Sequence, residues 1–390
     1  MLAKRLNKIA PSKTLAVTSK VISLREQGIT IISFGAGEPD FDTPKHIKDA
    51  AKNAIDKGFT KYTSVSGISE LKKAIVRKLK LENNADYNPE EIIVSNGGKH
   101  SIMNALLALL NKGDEVIIPV PYWTSYPDMV KLAEGTPVFC ETENLQVKAD
   151  LIKKKITTKT TLILLNSPSN PSGAVIEEKE LEKIKDILLK NENIYVLSDE
   201  VYEHFLYDGK KNKSIVSLGK NQEEKKKIRE KTIIVNSVSK SYSMTGWRIG
   251  FTASNLHLAN AMSKLQSQMT SNPCSISQYA GVAAFSGDQK CIEEMKNEFE
   301  KRRDKIVQLL NKCKGVVCNN PGGAFYVFPN ISKTGLTSEE FCDRLLNEKR
   351  VAVVPGTAFG MEGYIRLSYA CSMKNIEEGL RLIKEFCDKL

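Results

Sequence analysis

The chain has 390 residues, 41% hydrophobic and 26% charged, and a net charge of +11, which describes a soluble globular protein long enough for two domains. No apolar run approaches the roughly 18 residues that span a bilayer, and the start, Met1 to Lys8, lacks the apolar core of a secretory signal, so a cytoplasmic protein with no membrane partner is expected. The lysine excess is spread without a basic stripe interleaved with aromatics, which argues against a nucleic-acid partner, and the eight cysteines (140, 274, 291, 313, 318, 342, 371, 387) form no Cys-x-x-Cys pair, which argues against zinc ribbons and disulfide frameworks.

Residues 1–30 read as an extended arm leading into a helix. Ile31 to Phe34 is predicted as a short strand, followed by Gly35-Ala36-Gly37-Glu38-Pro39-Asp40. This run begins like a dinucleotide fingerprint, but Asp40 stands where the third glycine belongs and Pro39 forbids a helix opening there. It is read as a ligand-facing turn. Thr43 and Pro44 predict a helix start with Thr43 as N-cap. Ile47, Ala51, Ala54 and Ile55 form its apolar face, and Gly58 ends it. Ile68, Leu71, Ile75 and Leu79 mark a second helix. Between the two lies Thr60-Lys61-Tyr62-Thr63, an exposed loop with one aromatic.

From here strands and helices alternate. Glu91 to Val94 is a strand, and Gly97-Gly98-Lys99 opens a helix with Ile102, Leu106, Leu109 and Leu110. Glycines at a helix N-terminus let backbone amides approach an anion. Val116 to Pro119 is a strand leading to Pro121-Tyr122-Trp123. Leu162 to Leu165 is a strand ending in Asn166-Ser167-Pro168-Ser169-Asn170-Pro171-Ser172-Gly173. Tyr195 to Ser198 runs into Asp199-Glu200-Val201-Tyr202, and Ile249 to Ala253 is a further strand. Near-continuous apolar strands separated by helices predict a mainly parallel sheet covered on both faces. Polar residues gather at the carboxyl ends of these strands, where open α/β sheets bind ligands. Beyond charge-rich helices at about 288–313, strands at 322–327, 351–355 and 364–368 and a last helix with Ile376, Leu380, Ile383 and Phe386 predict a smaller α+β domain.

The stretch Ser237-Val238-Ser239-Lys240-Ser241 to Trp247-Arg248 follows the apolar strand Ile233-Ile234-Val235. A lysine just past a buried strand is unusual, and desolvation with nearby cations lowers its pKa until the amine is a nucleophile near neutral pH. The hydroxyls of Ser237 and Ser239, the guanidinium of Arg248, and Gly98 and Lys99 at their helix start suit a phosphate dianion. An amine beside a phosphate cradle points to pyridoxal phosphate, held as a Schiff base on Lys240. Asp199 is placed to keep a pyridinium nitrogen protonated, Tyr202 and Asn170 to hydrogen-bond the cofactor's phenolate oxygen, and Trp123 to stack on its ring. Taken singly, Asp199 could be a helix cap, Trp123 a core aromatic and Asn170 a turn residue. No metal site is expected. The four histidines (46, 100, 204, 257) have no carboxylate at useful spacing, and there is no Gly-x-Ser-x-Gly elbow.

Residues 1–388 resemble a class I aminotransferase, of the branch containing bacterial aspartate and prephenate aminotransferases. The motifs that carry the resemblance are Ala36 to Asp40, Lys61-Tyr62, Gly97-Gly98-Lys99, Pro121-Tyr122-Trp123, Asn170-Pro171-Ser172-Gly173, Ser198 to Tyr202, Ser239-Lys240 through Gly250, and Arg366-Leu367-Ser368. Ser172 departs from the family's usual threonine. The resemblance implies an α/β fold with a large cofactor-binding domain, residues 46–287, and a small domain of residues 288–390 joined by part of the arm at 1–45. It implies Lys240 as Schiff-base residue and proton shuttle, with Asp199 and Tyr202 as its catalytic partners. Arg366 would clamp the substrate α-carboxylate, with Gly37, Trp123 and Asn170 also touching substrate. It further implies a homodimer in which Tyr62 reaches the phosphate of the neighbouring subunit.

The branch acts on dicarboxylic amino acids with 2-oxo acids, so aspartate and 2-oxoglutarate are the expected pair. A second carboxylate needs a cation or several donors. Lys99, and a hydroxyl from Ser12, are the candidates. Members that use prephenate are expected to carry a lysine directly before the Pro-Ser pair of the arm, where this chain has Ala10 before Pro11. Prephenate or aromatic amino acids are the alternative substrates. A lyase or decarboxylase using the same cofactor, and a cofactor-binding regulator without turnover, are the alternative classes.

Overall fold

A computed structural model describes residues 2–11 and 13–390. Ser12 lies outside the described residues. In chain order the strands are β1 (Ile32–Ser33), β2 (Ile92–Ser95), β3 (Glu115–Pro119), β4 (Thr136–Cys140), β5 (Thr160–Asn166), β6 (Tyr195–Asp199), β7 (Thr232–Ser237), β8 (Gly250–Ala253), β9 (Tyr326–Val327), β10 (Val351–Ala352), β11 (Val354–Pro355) and β12 (Ile365–Ser368).

Seven of them form one sheet in the order β2-β8-β7-β6-β5-β3-β4. Pairs from β7 to β4 are parallel, and only β8 runs antiparallel to its neighbours β7 and β2. The central strands are apolar on both sides because helices cover both faces. Ile163, Val196 and Ile234 pack with Ile47, Leu71, Ile75, Ile184 and Ala280 in one cluster. Their sequence neighbours Leu162, Leu164, Leu197, Ile233 and Val235 pack with Ile102, Leu106, Met129 and Met262 in another. The period-two alternation of the strands separates the two clusters.

A third cluster gathers around the helices Lys290–Leu310 and Met373–Cys387, with Phe325, Tyr326, Ile365 and Leu367 at its centre. Here β11, β12 and β9 form an antiparallel sheet, while β10 pairs in parallel with β1. The single apolar run at 351–355 therefore serves two sheets, with Val353 between them. The helix Lys13–Glu26 reaches the same region, where its Val21 is buried with Ile31, Leu346 and Ala352. Among the described residues no helix is long and apolar enough to cross a membrane.

Three local expectations change. The edge strand β4 is not evident in the sequence, because it is half exposed and contains Pro137, a residue confined to sheet edges. The strand expected at 322–327 shortens to Tyr326–Val327, as Gly323 bridges to Leu206 instead. Thr43 does not cap the helix Lys45–Asp56, whose cap is Pro44 without a side-chain bond. The Thr43 hydroxyl donates to the Ser243 carbonyl at 2.7 Å and accepts from Trp247 Nε1 at 3.0 Å. It ties the helix start to the turn after Lys240.

Candidate active site

The strand registers bring the polar ends together. Asn166 pairs with Asp199 across β5 and β6, and Ser237 pairs with Gly250 across β7 and β8. Asn166, Asp199 and Ser237, together with Arg366 of β12 and Gly35 and Gly37 after β1, line a cavity of about 400 Å³. Thr14, Leu15 and Thr18 of the helix Lys13–Glu26 also line it.

Lys240 follows β7 by three residues, and its Nζ donates to the Gly37 carbonyl. Burial pushes its amine down to about 8, aided by Arg248 and Arg366 and opposed by Glu38 and Asp199. Asp199 ends β6 and is buried. Its Oδ2 accepts from Tyr126 Oη at 2.6 Å and its Oδ1 from the Val201 amide at 3.3 Å. Burial pushes this carboxyl up to about 6 despite the Tyr126 hydrogen bond.

Arg366 is 2% exposed. Its Nη1 donates to Asn170 Oδ1 at 3.0 Å and its Nη2 to the Gly35 carbonyl at 2.9 Å. The guanidinium lies over the rings of Tyr326 and Phe359, 4.7 and 5.0 Å from their centroids. Its Nε is buried without a hydrogen-bond partner, and among the described residues no carboxylate pairs with this cation. Tyr202 Oη hydrogen-bonds Tyr326 Oη at 2.8 Å beside it.

The opposite wall is cationic. Arg248 has a left-handed backbone, φ 56°, and donates to the Thr245 and Asn96 carbonyls at 2.8 and 3.3 Å. It lies against Gly97, whose φ of 86° favours glycine and where an added Cβ would stand 2.3 Å from Arg248 Nη2 and displace it. The helix Gly98–Leu109 starts at this point, next to the buried hydroxyls of Ser237 and Ser239. Lys99 Nζ sits 5.0 Å from the centre of the Trp123 ring, and burial, with Arg248, lowers its pKa.

Twelve of the thirteen residues singled out in the sequence line or adjoin this cavity: Gly37, Gly98, Lys99, Trp123, Asn170, Asp199, Tyr202, Ser237, Ser239, Lys240, Arg248 and Arg366. Tyr62 does not; it is 91% exposed. Three residues were missed. Tyr126 holds Asp199. Asn166 donates to the Asp199 carbonyl at 3.1 Å and accepts from the Asn170 amide at 2.8 Å. Tyr326 supports both Tyr202 and Arg366. Only Asn166 and Tyr326 stood within stretches that attracted notice. One expectation fails: His204 does have a carboxylate partner, Glu82, at 2.9 Å and 122 positions away.

A family model for class I and II aminotransferases matches residues 29–383. The chain belongs to this family. A probable aspartate/prephenate aminotransferase of Rickettsia bellii is 49% identical, with all of each chain covered. An aspartate aminotransferase of a Bacillus species (strain YM-2) is 46% identical over 99% of each chain. Among solved structures, the aspartate aminotransferase of Rhizobium meliloti superposes with a TM-score of 0.95 at 41% identity, covering 100% of this chain and 99% of that one. That of Thermus thermophilus with maleate gives 0.93 at 38% identity, with 99% of each covered.

The raised carboxyl of this aminotransferase makes a stability prediction. The value for Asp199 lies above the ordinary 3.8, at about 6. The native state therefore prefers the protonated acid, so stability is lost as pH rises through about 6 and recovered below about 4. Asp199→Asn removes that ionisation. In the ligand-free chain the variant is expected to be more stable at pH 8 by roughly 1–3 kcal/mol, with the gain fading by about pH 4. Urea unfolding at the two pH values measures this, and an equal midpoint at pH 8 would refute it.

Proposed function

We propose that this aminotransferase exchanges the amino group between L-aspartate and 2-oxoglutarate, yielding oxaloacetate and glutamate, with pyridoxal 5'-phosphate as cofactor. The observation that carries the reading is Arg366, whose buried guanidinium pairs with no carboxylate among the described residues, in one cavity with Lys240. A buried cation of this kind calls for an anionic ligand, and the planar fork of arginine matches a carboxylate. The names of the relatives agree, and the Thermus structure holds maleate, a four-carbon dicarboxylate.

The residues present fit the cofactor. Arg248, Ser237, Ser239 and the helix start at Gly98 would hold its phosphate, Trp123 its ring face, and Asn170 and Tyr202 its phenolate oxygen. Asp199 presents a buried carboxyl to the cavity, and Lys240 has an amine made available by burial. When bound, the cofactor supplies an electron-withdrawing ring that makes Cα–H cleavage and amino transfer accessible. Asp199 would hold a proton on the ring nitrogen. Lys240 would anchor the cofactor and move a proton at the substrate Cα, a task suited to an amine that titrates near 8. Arg366 would orient the α-carboxylate so that the Cα–H bond faces Lys240.

Lys99, the cation over Trp123, is assigned to the second carboxylate or to the phosphate. Lys13, near the expected prephenate position, is engaged with Glu339 at 2.7 Å and Thr357 at 3.3 Å. This supports aspartate over prephenate. We also assign residues 46–287 to the cofactor domain and residues 1–45 with 288–390 to a part that moves against it; the β1–β10 pairing supports that grouping. The exposed Tyr62 is consistent with a homodimer in which it completes the neighbouring site, and eight free thiols are consistent with a cytoplasmic location.

Three outcomes are expected. Purified protein is yellow, and Lys240→Ala loses both the visible absorbance and transamination; normal turnover by that variant would remove its assigned role. In a substrate profile, kcat/KM for aspartate exceeds that for prephenate, tyrosine or phenylalanine. Arg366→Ala lowers it by about 30-fold or more, since losing a buried charged partner costs roughly 2–5 kcal/mol, whereas Lys99→Ala narrows the preference for aspartate. A profile led by prephenate or aromatic acids would overturn the substrate assignment. Finally, mixing inactive Tyr62→Phe and Lys240→Ala subunits restores part of the activity through hybrid dimers, and a monomer in sedimentation at working concentration would contradict this.

A further inference from the structure

Behind the cavity, the segment after β6 sends three side chains the other way. Glu200 accepts from Ser198, Ser214 and Asn83 at 2.9, 2.6 and 2.9 Å. Glu203 pairs with Lys78 and accepts from Asn83, Asn212 and Asn236. His204 spans two elements: its Nε2 lies 2.9 Å from Glu82 Oε2, and its Nδ1 lies 2.7 Å from Ser241 Oγ. Glu82 ends the helix Ser69–Glu82, which also carries Lys78, 3.4 Å from Glu82. Ser241 is 1% exposed and directly follows Lys240.

The lysine turn is therefore held from outside. Ser241 is gripped by His204, Tyr242 Oη donates to Gln289 at 2.8 Å, and the Met244 amide closes onto the Ser239 carbonyl at 3.0 Å. We propose that His204, oriented by Glu82, is a positioning residue for Lys240: by holding the Ser241 hydroxyl it sets the depth at which the lysine amine enters the cavity. The inference rests on the reading of Lys240 as the reacting amine. A lysine side chain has four rotatable bonds and no rigidity of its own, so its reach into a cavity is set by the backbone that carries it. A buried hydroxyl deprived of its partner costs about 1–3 kcal/mol, and the turn can recover this by shifting toward water.

That shift has a chemical signature. The charged groups around the Lys240 amine are Glu38, Asp199, Arg248 and Arg366, and burial is the largest influence on it. Those nearest the His204 ring are Glu82, Lys78 and Glu203, and Lys210, Lys211, Glu293 and Lys296 line the same outer pocket. Burial alone would raise the Glu82 carboxyl, but the His204 hydrogen bond and Lys78 outweigh it and hold it below its ordinary value, so it remains a charged acceptor for Nε2–H at neutral pH. If the turn loosens, the Lys240 ammonium regains water and its pKa rises from about 8 toward the ordinary 10.5.

The test uses the full chain carrying His204→Phe or Ser241→Ala. The first readout is the pH dependence of Lys240 labelling by an amine-reactive reagent, followed by peptide mass spectrometry, without added pyridoxal phosphate. The second is kcat and KM for aspartate with the cofactor. The labelling midpoint is expected to rise by about one pH unit, and kcat to fall about tenfold with KM changed less than about threefold. Ser241→Thr keeps the hydroxyl and should retain parental behaviour, and the double variant should be no worse than the worse single one. Ser241→Ala deletes one oxygen and serves if His204→Phe does not fold. An unchanged midpoint and unchanged kcat overturn the proposal, even where the melting temperature falls. Normal turnover by Lys240→Ala would instead defeat the underlying functional reading and leave the labelling result to stand alone.

Discussion

Asn166 of β5 sits beside Asp199 of β6, and Ser237 of β7 beside Gly250 of β8. Because β5, β6 and β7 are parallel, their carboxyl ends emerge on one edge, and the register sets them level with one another. The antiparallel β8 enters at that same edge, which brings Arg248 back to it. A slip of one residue in any of these pairs would turn Asp199 or Ser237 into a helix-covered face and bury an apolar residue's position in the cavity. The cavity is thus a consequence of sheet register before it is a collection of side chains.

The groups delivered there are costly. Asp199 is buried with its carboxyl pushed up to about 6, Arg366 pairs with no carboxylate among the described residues, and Lys240 is held at about 8 against the ordinary 10.5. Each pKa unit is about 1.4 kcal/mol of preference between charge states. A fold that tolerates this must be supported elsewhere, and the two apolar clusters on either face of the sheet supply that support. Strain is local as well, for Arg248 has φ 56° and packs on a glycine that no other residue could replace without displacing it.

The six residues from Asp199 to His204 show how one short segment serves two environments. Asp199 and Tyr202 line the cavity, while Glu200, Glu203 and His204 join a buried polar network with the helix Ser69–Glu82, Asn236 of β7 and Ser241. Nearly every donor in that network has an acceptor, as a low-dielectric interior demands. The cavity groups, by contrast, keep unused capacity, with Arg366 Nε as the plainest case.

How much of this was legible in the sequence follows from the range of the forces involved. Apolar runs such as Ile233-Ile234-Val235 and the glycines and prolines that punctuate them act over a few residues, so the alternation of strands and helices, the mainly parallel sheet and the polar strand ends could be read directly. Lys240 and Asp199 were recognisable because charged residues beside buried strands are rare, whereas Arg366 was singled out only by the resemblance carried by Arg366-Leu367-Ser368. The half-exposed, proline-containing β4 left no such trace, and Thr43 followed a capping pattern only to bond elsewhere. Tyr126 on Asp199, Tyr326 on Arg366 and Glu82 on His204 join positions 73, 40 and 122 residues apart. Local pattern determined the elements and the chemistry-bearing side chains; only the tertiary structure decided which of them meet, because hydrogen bonds and desolvation depend on distances that chain separation does not encode.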